Sequence, residues 1–76
     1  MTVTHELQIM APRQAMAQRL RELRDKRGMS QRELAEAAGI SREYIARLET
    51  GRQDPTLSTL EKLAKALRVK VSKLIE

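Results

Sequence analysis

Few residues in this 76-residue chain could act on a substrate. It contains no Cys, which removes thiolate nucleophiles, disulfides and cysteine metal sites. His5 is the single His, and with no second His or Cys to join it, no metal site is supported. Ser30, Ser41, Ser58 and Ser72 read as helix caps or surface residues, because no base and orienting partner accompany any of them. No phosphate-cradling loop is present. The chain is therefore expected to be no enzyme and to need no cofactor or metal. What remains is the chemistry of recognition, carried by charge and hydrogen bonds.

That chemistry concentrates in Gln31 to Thr50, QRELAEAAGISREYIARLET. The segment reads as two short helices joined by a turn of about three residues. The turn needs one residue with positive φ, and Gly39 stands there. Helices crossing steeply and closely need a small residue at the contact, and Ala35 supplies it. Leu34, Ala38, Ile40, Ile45 and Leu48 are apolar where the angle between the helices must be fixed. Such a helix-turn-helix presents its second helix to the major groove of a duplex.

The rest of the chain must hold this pair in place. Pro12 suits the first turn of a helix. From Arg13 to Arg27, Met16, Leu20 and Leu23 recur at helical spacing with Ala17 beside them, and Gly28 marks the end. Ser30-Gln31-Arg32-Glu33 is a capping box that opens the second helix, and Ser41 caps a third that Gly51 stops. Thr56 caps a fourth helix with a broad apolar face of Leu57, Leu60, Leu63, Ala64 and Leu67. Val69, Val71, Leu74 and Ile75 suggest a short fifth. The expected fold is all-α, a compact five-helix domain over residues 11–76 with an N-terminal arm over 1–10. In the arm, Val3, His5, Leu7 and Ile9 alternate with polar residues as a strand would.

Composition agrees with a helical bundle. Tyr44 is the only aromatic residue, too little for a β-sandwich or barrel, which draws on Val, Thr, Tyr and Phe. Fifteen Lys and Arg against ten Asp and Glu give a net charge of +5, which favours a polyanionic partner, nucleic acid or an anionic membrane surface. The excess is uneven: residues 11–27 carry +4 and 55–76 carry +3, whereas 28–54 carry −1. Total charge therefore does not locate a binding surface, and a merely solvated helical surface explains it equally well. No apolar run could cross a bilayer and the N-terminus lacks the pattern of a signal peptide, so the expected location is cytoplasmic.

Over residues 16–76 the sequence resembles the lambda-repressor-like (Cro/Xre) helix-turn-helix regulators. The resemblance is carried by RLRELRDKRGMSQRELAEAAGISREYIARLETGRQDPTLSTLEKLAKAL. It implies a five-helix fold whose second and third helices read double-stranded DNA. It places Arg42, Glu43 and Arg47 at base edges, with Ser41 and Ala46 beside them. Arg can fork onto guanine O6 and N7, which favours Arg42 and Arg47 for readout; plain phosphate attraction is the alternative. Glu43 would accept from cytosine N4, hold an Arg, or repel a wrong base.

For the phosphates the resemblance points to Gln31 and Arg52. Ser30 and the free N–H groups of its helix end add a further anion site. Tyr44 has two readings, a hydroxyl on phosphate or a half-buried ring over the hinge. Thr50 replaces the Asn of the family's Glu-Asn-Gly triplet, which weakens a phosphate contact there. Arg24 and Glu49 match a structural ion pair between the first and third helices. Two departures stand near the end: relatives often carry Gly at the position of Arg68 and a capping Ser or Asp at Lys70, so the last helix is expected to be short or irregular.

The implied function is that of a dimeric repressor or autoregulator on a palindromic operator. Val69, Val71, Leu74, Ile75 and the arm are candidates for the interface, each with burial in its own monomer as the alternative. The arm is a candidate antiparallel ribbon across the two-fold axis, against a disordered or helical arm. With no room for a sensor domain, occupancy would follow concentration or an unknown partner protein. Phage repressor, restriction–modification controller and antitoxin all fit. An adaptor module of the same fold is the alternative class.

Overall fold

The computed structural model describes residues 12–75, and all the regular structure among them is helical. The elements are α1 (Pro12–Lys26), α2 (Gln31–Ala38), α3 (Arg42–Glu49), α4 (Leu57–Leu67) and α5 (Val71–Ile75). The strand expected in the arm and His5 lie outside the described residues.

Local chemistry sets the helix starts. Ser30 Oγ accepts from the Glu33 N–H at 3.0 Å while Glu33 Oε1 accepts from the Ser30 N–H at 2.8 Å, a complete capping box. Ser41 Oγ accepts from the Tyr44 N–H at 3.1 Å, and Thr56 Oγ1 from the Thr59 N–H at 3.1 Å. The ends are closed by one repeated bond, from an N–H back to the carbonyl five residues earlier: Met29 to Arg24, Ile40 to Ala35, Arg52 to Arg47 and Val69 to Ala64, at 2.9–3.0 Å. Each needs a left-handed residue just before the donor. Gly39 meets this without strain at φ 70°.

At the end of α4 the same turn forms on Arg68, at φ 59° and ψ 43°, the one non-glycine residue with positive φ among those described. The helix therefore stops where a family-like Gly would stop it, at the cost of left-handed backbone with a Cβ. The short α5 follows, five residues long.

α1 packs on α3 and α5, α2 on α3 and α4, and α4 on α5. The side chains of Leu20, Leu34, Ile45, Leu48, Leu63, Leu67 and Leu74 are fully buried, with Met16, Ala35, Ala38 and Ala64 filling the spaces between them. Each large one is worth roughly 1.5–3 kcal/mol, and with no Cys to crosslink the chain, this cluster carries the fold. The tight helix-turn-helix contact leaves Ala35 4% exposed, so a larger side chain there would have to displace a neighbour.

One apolar expectation is corrected, and one of two open readings is selected. Leu57 is not part of the buried face of α4: it is 64% exposed, because it sits in the first turn, on the right stripe but beyond the length the neighbouring helices cover. Leu74 is 1% exposed, so its side chain belongs to the monomer core and is not surface available to a second subunit. Ile75, next to it, is 61% exposed; Val69 and Val71 are half-buried against the core.

Candidate nucleic-acid interface

α3 is anchored along one side and open along the other. Ile45, Leu48 and Glu49 are buried, Tyr44 and Ala46 half-buried, and Ser41, Arg42, Glu43 and Arg47 exposed. The spacing 45, 48, 49 returns to one face at each turn, so the charged residues at 42, 43 and 47 are left on the solvent side.

Beside these apolar residues α3 carries a buried carboxylate at its last turn. Glu49 is 3% exposed, the only buried charged residue among those described. Arg24 of α1 donates to both its oxygens, Nε to Oε2 at 2.6 Å and Nη2 to Oε1 at 3.1 Å. Gln31 Nε2 donates to Oε1 at 3.0 Å. Arg24 Nη1 also donates to the Met29 carbonyl at 2.8 Å, and Arg21 Nη1 donates to the Glu49 carbonyl. Three elements thus meet at one residue: α1, the start of α2 and the end of α3. No buried side-chain N or O among the described residues lacks a partner, as a charge at this depth requires. The hydrogen bond to Glu49 outweighs partial desolvation and raises the pKa of Arg24 above its ordinary value.

Gln31 stands at the first residue of α2, with one amide hydrogen committed to Glu49. The Thr50 hydroxyl donates to the Arg47 carbonyl at 3.0 Å, so its one hydrogen is used to close α3 rather than offered outward. Arg52 is exposed just after the turn at Gly51. Tyr44 packs its ring against the core, and the Arg47 guanidinium carbon lies 5.8 Å from the ring centroid, within cation–π range. Glu43 forms no ion pair among the described residues, so it holds neither Arg in place.

Sequence reasoning missed Arg21, Gln53 and the Arg13–Asp54 pair. Arg21 shares a face with Arg24 at i−3, a spacing that could have flagged it. Gln53 accepts from Arg47 Nε at 3.2 Å, and Arg13 pairs with Asp54 at 3.2 Å; both lie in or reach the loop after α3, which has no periodicity to read. Among the described residues no cluster of His, Cys, Asp and Glu could hold a metal, and no helix is long and apolar enough to cross a membrane.

Residues 20–74 match the family described as Helix-turn-helix, HTH_3. The chain is similar to the Immunity repressor protein of Bacillus phage phi105, 43% identical over 60 residues, covering 79% of this chain and 42% of that one. It is also similar to the HTH-type transcriptional regulator DdrOP3 of Deinococcus deserti, 44% identical over 61 residues, covering 80% and 47%. It thus spans less than half the length of these two relatives. Among solved structures it resembles the restriction-modification controller protein C.AhdI from Aeromonas hydrophila, with a TM-score of 0.80 and 39% identity, covering 82% of this chain and 94% of that one.

Proposed function

Because this chain belongs to the HTH_3 (Cro/C1-type/Xre) helix-turn-helix family of transcription regulators, we propose that it binds operator DNA sequence-specifically as a homodimer and acts as a repressor or autoregulator. The observation that carries this reading is the two-sidedness of α3. Ile45, Leu48 and Glu49 lock one side, while Arg42, Glu43 and Arg47 remain exposed on the other at positions able to meet base edges. A helix held this firmly loses little freedom on binding, so its contacts can discriminate between bases.

Arg42 and Arg47 read guanine, with Ser41 and Ala46 flanking them and Glu43 excluding or accepting from a neighbouring base. Ser30, the second amide hydrogen of Gln31, the Tyr44 hydroxyl and Arg52 engage phosphates and set the register. Thr50 supports this from behind, by holding the Arg47 carbonyl. A single helix reads few bases, so two copies occupy half-sites about 34 Å apart. The exposed Ile75, with the outer edges of Val69 and Val71, forms the contact between them. The names of two relatives, an immunity repressor and a restriction-modification controller, support a regulatory role, which this chain would exert in the cytoplasm.

Selection of bound sequences from random duplex DNA tests the reading. Enrichment of a palindrome with half-sites one helical turn apart supports it. Protein that enriches no sequence contradicts it and favours an adaptor role for the same fold.

A further inference from the structure

We infer that Gln53, in the loop between α3 and α4, is a positioning residue for base readout: it holds Arg47 in the orientation in which its terminal nitrogens meet a guanine. The inference rests on the base-reading role proposed above for Arg47.

Arg47 is constrained at three levels. Its carbonyl accepts from the Thr50 hydroxyl at 3.0 Å and from the Arg52 N–H at 3.0 Å, which pins its backbone at the end of α3. Its guanidinium lies 5.8 Å from the centroid of Tyr44, whose ring packs on the core. Its Nε donates to Gln53 Oε1 at 3.2 Å, and Gln53 is itself half-buried.

The chemical consequence follows from the shape of the guanidinium. Arg can approach an acceptor pair side-on, through Nε and one Nη, or end-on, through both Nη groups. The solvent-exposed bond from Nε to Gln53 disfavours the side-on mode. Neither Nη has a partner within the chain among the described residues, so the end-on fork is the part left for guanine O6 and N7. A free Arg side chain loses rotamer entropy on being fixed, and here the carboxamide and the ring have already restricted it. Gln53 therefore affects discrimination while Arg47 makes the contact.

The test uses the duplex selected by the wild-type protein, with each guanine of a half-site replaced in turn by 7-deazaguanine, which lacks the N7 acceptor. Arg47→Ala identifies the guanine that Arg47 reads, as the one whose replacement no longer matters. At that guanine the wild type is expected to lose about tenfold in affinity, within the range one bidentate pair supplies. Gln53→Met, which keeps the side chain's length and removes its acceptor, is expected to lose only about two- to threefold on the same replacement. In an Arg47→Ala background Gln53→Met should change neither affinity nor discrimination. The melting temperature of Gln53→Met should match the wild type.

A wild-type-like response in Gln53→Met overturns the inference. So does an equal loss from Gln53→Met with and without Arg47, which would make Gln53 a direct DNA contact. If no guanine replacement is silenced by Arg47→Ala, the guanine-reading role of Arg47 falls, and this inference with it.

Discussion

Arg24 and Glu49, 25 residues apart, form a two-pronged ion pair in which the carboxylate is 3% exposed and accepts a third hydrogen bond from Gln31. The pair fastens the last turn of α3 to α1, so the angle of the exposed helix depends on it. Arg24→Ala leaves Glu49 buried without its cation and should cost about 3 kcal/mol in chemical denaturation. DNA affinity should fall with it, through loosening of α3. Weaker binding with unchanged melting would instead make Arg24 a direct phosphate contact. The raised pKa of Arg24 gives a pH expectation with a definite sign. A raised folded-state value adds stability that is present below the ordinary Arg range and is lost only as pH climbs through the folded value. Titration from pH 7 to 10 should therefore leave the cost of Arg24→Ala unchanged.

Arg68 holds a left-handed conformation at φ 59° where glycine would carry no Cβ strain. Arg68→Gly should raise stability by about 0.5–1 kcal/mol, the relief of strain less the greater freedom of Gly in the unfolded chain. In a domain this small that is about 4 °C in melting temperature. A lower melting temperature would show that the Arg68 side chain contributes more than its backbone costs.

Arg47 and Arg52 should separate by the kind of defect. Arg52→Ala should weaken binding equally on selected and random duplexes, and reduce the salt dependence of affinity by about one ion. Arg47→Ala should instead reduce the preference for the selected duplex by roughly fivefold to a hundredfold. Fluorescence anisotropy at several salt concentrations distinguishes the two, and a uniform loss for both would make Arg47 a phosphate ligand.

Leu74 and Ile75 are adjacent but have opposite environments, 1% and 61% exposed. Leu74→Ala should cost about 2–5 kcal/mol of stability. Ile75→Glu should leave the fold intact and, on the proposed dimer face, convert the sedimenting species to monomer. An unchanged dimer in Ile75→Glu would move the interface elsewhere.

Among the contacts that close within a few residues, the helix N-caps and the glycine turn were legible from the sequence alone, whereas the left-handed turn at Arg68 and the bond from Thr50 to the Arg47 carbonyl were not. Ser30 with Glu33, Ser41 with Tyr44, Thr56 with Thr59 and the left-handed turn at Gly39 depend on neighbours along the chain, so residue types at fixed offsets specify them. The helical period of Leu34, Ala35, Ala38, Ile45 and Leu48 likewise follows from geometry that every helix shares. The Arg24–Glu49 pair is a different case: resemblance suggested it, and local pattern could not have. Only tertiary structure added Gln31 and Arg21 to Glu49 across 18 and 28 residues, and aimed Gln53 at Arg47. It also buried Leu74 while leaving Ile75 and Leu57 exposed. A helix's own sequence sets which residues share a face. How much of that face is covered, and which distant donor reaches a buried acceptor, is fixed only when the other helices pack against it.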